Sequence, residues 1–197
     1  MRYFVGITGA SGAPYAARVL QGLAAAGAEV GVCASPTAGE VIAYEVYRDR
    51  SLDPALAIRR FVSEFGGEGA TLYAHDDWFS PYASGSAKCD GYLICPCSMA
   101  TAGTIASSGQ ANLIHRAAGV ALKEGRRLVL VPRETPLSVI HLEVLLKLRQ
   151  AGALMLPAMP AFYTLPDTLD VAIAFVAGKA LDLLGVEGHE MLKRWGQ

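Results

Sequence analysis

Charge is scarce in this sequence. Asp, Glu, Lys and Arg make up 18% of its 197 residues, where about a quarter is usual for a soluble domain. A hydrophobic share of 52% and a mean hydropathy of +0.32 go with it. Two physical readings account for the deficit: a large core, or surface covered by partner subunits. The formal net charge of -1 excludes bulk attraction to nucleic acid or to an anionic membrane.

Long apolar runs are missing too. MRYFVGIT is too short for a secretory leader, and Gly9, Ser11 and Gly12 keep the apolar run from continuing. The longest uncharged stretch in the middle of the chain, GYLICPCSMATAGTIASSGQANLI, carries Pro96 and a mixture of Ser, Thr, Gln and Asn. That composition argues against a membrane span, and the expected location is the cytoplasm. Cysteine is limited to Cys33, Cys89, Cys95 and Cys97. Without a secretory leader this argues against a disulfide framework. Cys95 and Cys97 are too close for a zinc knuckle, and His75, His115, His141 and His189 are scattered, so no metal is expected. Internal repeats and linkers are also lacking. One domain spanning 1–197 is expected, its C-terminal helix and tail (168–197) packing on the site or on a neighbouring subunit.

Familiar phosphate motifs are absent. The glycines of the opening loop fall at 6, 9 and 12, not in G-x-G-x-x-G, and Ser35 stands where a ribose-binding acid would end the second strand. No Gly-Lys-Ser/Thr comes after the loop, and there is no DDxxD of the magnesium-dependent terpenoid type.

The sequence does have a regular alternation. Apolar runs at 3–7, 28–34, 92–96, 127–132 and 153–157 read as strands, with a further short one at 71–74. Helical patterns occupy Pro14 to Gly27, 37–47, 54–65, 99–107, 112–123, 136–150 and 168–184, and 75–90 reads as a loop. The pattern predicts a three-layer α/β fold: a mostly parallel central sheet with helices on both faces, Rossmann-like or flavodoxin-like. Four strand ends carry the unusual chemistry, TGASG, ASPT, CPCSMAT and VPRE. In such sheets ligands bind outside the carboxyl ends of the strands.

Each stretch has two readings. TGASGAP is either a capped turn or an oxyanion cradle, with Thr8 and Ser11 as hydroxyl donors and successive amides before a helix. CPCSMAT is either a tightly packed helix start capped by Ser98 or a surface on which a flat ligand lies close to the backbone. Arg133 and Glu134 of VPRETP form either a rim ion pair or a clamp that holds phosphate and moves a proton.

GITGASGA, ASPTAGEVIAYE, DDWFSPYASGS, CPCSMAT, NLIHRAAGVALKE, LVLVPRETPLS and the terminal RWG, in this order, resemble the UbiX/Pad1 flavin prenyltransferases from about residue 3 to 196. The resemblance implies the same α/β fold and a homo-oligomer, a dodecamer, with sites shared between subunits. It implies transfer of a dimethylallyl group from dimethylallyl monophosphate to reduced FMN, without metal. The prenylated FMN would serve a UbiD-type decarboxylase. It implies a flavin site of Gly9, Ala10, Ser11, Ser35, Ser98, Met99, Ala100, Thr101 and Arg133. Lys123, Arg133, Tyr163 and Lys179 would hold the prenyl phosphate, with Arg116 across a subunit boundary and Trp78 and Trp195 near the prenyl pocket. Glu134 and Glu45 match the family's carboxylates and, with Ser11 and Lys123, are the catalytic candidates. His115 and Gln110-Ala111-Asn112 depart from the family pattern. Two rival readings remain. An FMN-dependent cysteine-type decarboxylase would need a histidine after the second strand, and residues 28–50 have none. A non-catalytic FMN-binding protein would need neither Glu134 nor Lys179.

Overall fold

Short runs rich in Val, Ile, Leu and aromatics form the strands of the computed structural model, which describes residues 1–191. The strands are β1 (Arg2–Ile7), β2 (Glu29–Ala34), β3 (Ala70–Tyr73), β4 (Gly91–Cys97), β5 (Leu128–Pro132) and β6 (Leu154–Met155). The helices are α1 (Ala13–Ala25), α2 (Pro36–Glu45), α3 (Pro54–Phe65), α4 (Met99–Ala106), α5 (Leu113–Lys123), α6 (Val139–Gln150) and α7 (Leu169–Leu184). One six-stranded sheet has the order β3-β2-β1-β4-β5-β6, and every pairing is parallel. The expected α/β architecture is the observed one.

Strand side chains alternate between two cores. Val5, Val30, Val32 and Leu93 face one layer with Leu20 of α1 and Leu181 of α7. Phe4, Tyr92, Ile94 and Leu130 face the other with Leu113 and Ile114 of α5. Each such side chain, fully buried, contributes roughly 1.5–3 kcal/mol relative to exposure. This two-sided burial is why the strands read as continuous apolar runs rather than as alternating ones. The loop between β3 and β4 is anchored on the second face by Tyr82, whose ring lies so close to Gly31 that a Cβ there would come within 2.0 Å of it.

The sixth helix starts later than its proline implied. Pro136 precedes the helix, which begins at Val139 because Ser138 caps it. The Ser138 hydroxyl accepts from the His141 N–H at 3.2 Å, and the Ser138 N–H donates to His141 Nδ1 at 3.3 Å. This reciprocal cap sets the start. The last strand is cut to two residues and pairs only with β5.

The strand order reverses between β1 and β4. The loops leaving these two strands diverge to opposite faces, which opens a crevice at their carboxyl ends. No helix among the described residues is long and apolar enough to cross a membrane.

Candidate active site

Three helix N-termini meet at the carboxyl edge of the sheet: those of α1, α2 and α4. Their positive ends favour a negative group in the crevice. The first loop is held there by Thr8. Its hydroxyl donates to the Pro96 carbonyl at 2.7 Å and accepts from the Ser98 N–H at 2.8 Å. Thr8 is thus a buried staple between the β1 and β4 loops, not the ligand donor expected of it.

Gly9 is required by close approach, since a Cβ there would lie 2.6 Å from Thr37 Cγ2 in the first turn of α2. Gly12 sits at φ 126°, a conformation that favours glycine. The Gly12 and Ala13 amides donate to Glu45 Oε2 at 2.8 and 2.9 Å. At the helix terminus proper, the anion in the cradle is the protein's own carboxylate. The amides of Gly9, Ala10 and Ser11 have no partner among the described residues.

Ser35 caps α2 by accepting from the Ala38 N–H at 3.2 Å. Ser98 caps α4 by accepting from the Thr101 N–H at 3.2 Å, and its hydroxyl donates to Thr101 Oγ1 at 3.1 Å. Met99 and Thr101 are buried, while Ala100 is exposed. So in CPCSMAT the Ser98 and Thr101 side chains are taken up by the cap of α4. Arg133 comes directly after β5, and its N–H bonds the Cys97 carbonyl at 3.4 Å. Its Nε is buried and has no hydrogen-bond partner among the described residues, on a half-buried side chain. Tyr15 of α1 lies within its field: burial pushes the phenol up, Cys95 adds to this, and Arg133 opposes it. Glu134 is exposed and accepts from the Thr135 N–H at 3.0 Å; no ion pair with Arg133 forms among the described residues.

The remaining candidates sit on other elements. Tyr163 is exposed on a 3₁₀ turn, Phe162–Thr164, with its ring edge-on to Phe175 of α7 at 6.0 Å. Lys179 is exposed on α7, about 15 Å along the axis from Leu169 at 1.5 Å per residue. Trp78 is exposed in the β3–β4 loop. Arg116 is tied to that loop, its Nε donating to the Ala83 carbonyl at 2.8 Å and Nη1 to Gln110 Oε1 at 3.0 Å. Lys123 ends α5 just ahead of β5 and pairs with Glu124 beside Gly85. That is the amino edge of the sheet, so Lys123 does not reach the crevice of its own chain. Trp195 lies outside the described residues.

Beside Ser11 runs a cleft of about 350 Å³, lined by Ser11, Tyr15, Tyr44, Glu45 and Arg48. Leu169 and Ile173, from the start of α7, close its apolar side. It joins two predicted residues, Ser11 and Glu45, with three that the sequence did not single out. Tyr15 carried a local signal, one turn after the glycine loop. Tyr44 and Arg48 carried none. Burial pushes the Cys33 and Cys97 thiols up to about 12, so these cysteines pack as apolar groups rather than as thiolates.

The chain matches the Flavoprotein family over residues 1–177. It is 47% identical over 195 residues to the flavin prenyltransferase UbiX of Halalkalibacterium halodurans, covering 99% of this chain and 93% of that one. It superposes with a TM-score of 0.87 on AnUbiX (PadA1) in complex with FMN and dimethylallyl pyrophosphate, at 36% identity, covering 100% of this chain and 97% of that one. It superposes equally, with a TM-score of 0.87, on a dodecameric FMN-dependent UbiX-like decarboxylase from Escherichia coli O157:H7, at 37% identity and over the whole of both chains.

Proposed function

The chain belongs to the UbiX flavin prenyltransferases of the Flavoprotein family, and from that premise we propose that it transfers a dimethylallyl group from a dimethylallyl phosphate ester to reduced FMN. The observation that carries this reading is the crevice itself. Three unpartnered amides, Gly9 to Ser11, and a buried Arg133 Nε without a partner stand, among the described residues, at the switch point of the sheet. A flat, phosphate-bearing ring satisfies both.

The residues present fit a flavin mononucleotide. Ser35 and the α2 N-terminus, the Ala100 backbone and the first loop would hold it, and Arg133 would supply charge. Reduced FMN, when bound, contributes the nucleophilic ring atoms. The chain's part is to orient, to exclude water and to offset the phosphate leaving group. Arg133, Tyr163 and Lys179 would meet that phosphate. Exposed Glu134, next to Arg133, would carry a proton. Lys123 lies at the amino edge of the sheet, and Arg116 is held against the β3–β4 loop. This supports a site completed by a neighbouring copy in a homododecamer, as in the E. coli relative. Trp78 would enter the prenyl pocket from such a copy, and the described residues leave Trp195 open. The product would pass to a UbiD-type decarboxylase in the cytoplasm.

One assay tests the reaction. The protein, reduced FMN and dimethylallyl monophosphate or pyrophosphate are mixed anaerobically. Mass spectrometry is expected to show FMN heavier by one prenyl unit, with phosphate or pyrophosphate released. FMN bound without any adduct from either ester would favour the storage reading. The E. coli relative is described as a decarboxylase, so carbon dioxide release from a cysteine-ended peptide is measured alongside. The expectation is none, because residues 28–50 hold no histidine.

A further inference from the structure

The cleft beside Ser11 holds a cation with no assigned part in prenyl transfer. Arg48 lines it with Ser11, Tyr44 and Glu45. The neighbouring arginines are occupied: Arg50 lies over the Tyr44 ring at 4.3 Å, and Arg60 lies over Tyr47 at 4.1 Å and pairs with Glu64 at 3.8 Å. Arg48 has no ion pair, hydrogen bond or ring contact among the described residues. Glu45 makes no ion pair with it among the described residues; one of its carboxylate oxygens accepts from the Gly12 and Ala13 amides.

The backbone at Arg48 is unusual as well. It lies at φ 58°, just past the end of α2. The Asp49 N–H returns to the Ala43 carbonyl at 3.0 Å and closes the turn around it. Glycine takes that conformation freely, whereas an arginine there has to be held. The local fold would be served better by glycine, so the side chain is the feature that needs a reason.

The rest of the lining supplies one half of a ligand's chemistry. Leu169 and Ile173 are apolar, Ser11 offers a hydroxyl, and the cleft has room for a small molecule at about 350 Å³. Apolar side chains and a lone guanidinium in one cleft fit a short hydrocarbon bearing phosphate, because the guanidinium fork matches phosphate oxygens.

We propose that Arg48 is a further binding residue for the prenyl donor: its guanidinium shares the phosphate of a small allylic phosphate ester with the residues proposed above, while Leu169 and Ile173 flank the hydrocarbon end. The choice of ligand rests on the prenyl-transfer reading.

The test uses the full chain loaded with oxidised FMN, so that binding is read without turnover. Dimethylallyl monophosphate and pyrophosphate are each titrated by calorimetry. Arg48→Gly suits the backbone and is expected to fold at least as well as the parent. The Kd of at least one ester should rise about tenfold or more, while FMN affinity stays within about twofold. Arg48→Asn, which also tolerates the left-handed backbone, should match it, and Arg48→Lys should recover part of the loss. A loss confined to pyrophosphate puts Arg48 on the second phosphate and still supports the proposal. It is overturned if the parent binds neither ester, or if both substitutions leave both affinities within about twofold. Ester binding that depends on Arg48, with no adduct once the flavin is reduced, would sink prenyl transfer and leave the Arg48 site standing.

Discussion

His115 is where one residue sets a measurable pH response. It lies on α5, is buried, and its Nδ1 has no partner among the described residues. Burial holds its pKa below the usual 6.5, because a charged imidazole loses hydration there. The folded protein thus binds fewer protons at this site than the unfolded chain does. The stabilisation is complete above pH 6.5 and is lost as pH falls through the folded pKa. His115→Gln is expected to flatten the fall in thermal midpoint between pH 7 and pH 5, measured by calorimetry against the parent chain. Identical slopes in the two proteins would refute the assignment. Arg133 shows the opposite logic at the same scale. Its buried Nε, unpartnered among the described residues, calls for a hydrogen-bond acceptor from a ligand.

At the scale of elements, the site is made by helices tied to one another's ends. Glu45 is the last residue of α2, yet its carboxylate serves the first turn of α1. The two amides it accepts from would otherwise be among the orphan donors of a helix terminus. Glu45→Ala is expected to cost about 1 kcal/mol, as for loss of a helix cap, read from urea unfolding. It should also weaken FMN binding, because the loop from Gly9 to Ser11 leads directly into the released turn. Glu45→Gln keeps an acceptor and should retain most of the stability. A full-strength midpoint in Glu45→Ala would show that the clamp is not a structural element. The sheet contributes at the same level: Thr8 joins the β1 and β4 loops across the switch point, so both walls of the crevice are set by a single side chain.

Across the whole molecule, the low charge content finds its counterpart in the surface. One face of α6 exposes Val139, Ile140, Leu142 and Leu146, Ile140 at 70%, and Phe79 next to Trp78 is fully exposed. Apolar surface of this kind costs free energy in water unless covered. In the proposed dodecamer it is covered by other copies, and Arg116 and Lys123 are carried to neighbouring crevices. Sedimentation at micromolar concentration is expected to give a particle twelve times the 20.8 kDa chain. Ile140→Glu with Leu146→Glu should reduce it to smaller species that bind FMN weakly and form little adduct. A clean monomer with full turnover would rule out the shared site.

The sequence alone determined the list of elements, because apolar runs and caps are written within windows of a few residues. It determined the parallel α/β class, because strands buried on both faces must be apolar throughout. It also placed four polar loops at strand ends and, through them, the family. It did not determine the partners of those loops. Glu45 finds Gly12 across 33 residues and Thr8 finds Ser98 across 90, and no local pattern encodes which amide a distant carboxylate will meet. The start of α6 was settled by the reciprocal cap of Ser138 and His141 rather than by Pro136. Lys123 was consigned to the amino edge by the direction of α5, and Arg48 was turned into a cleft by a left-handed backbone at the end of α2. Both are consequences of how rigid elements dock. Short-range propensity fixes what each segment becomes, and only the packed chain decides which polar groups are satisfied internally and which remain for a ligand.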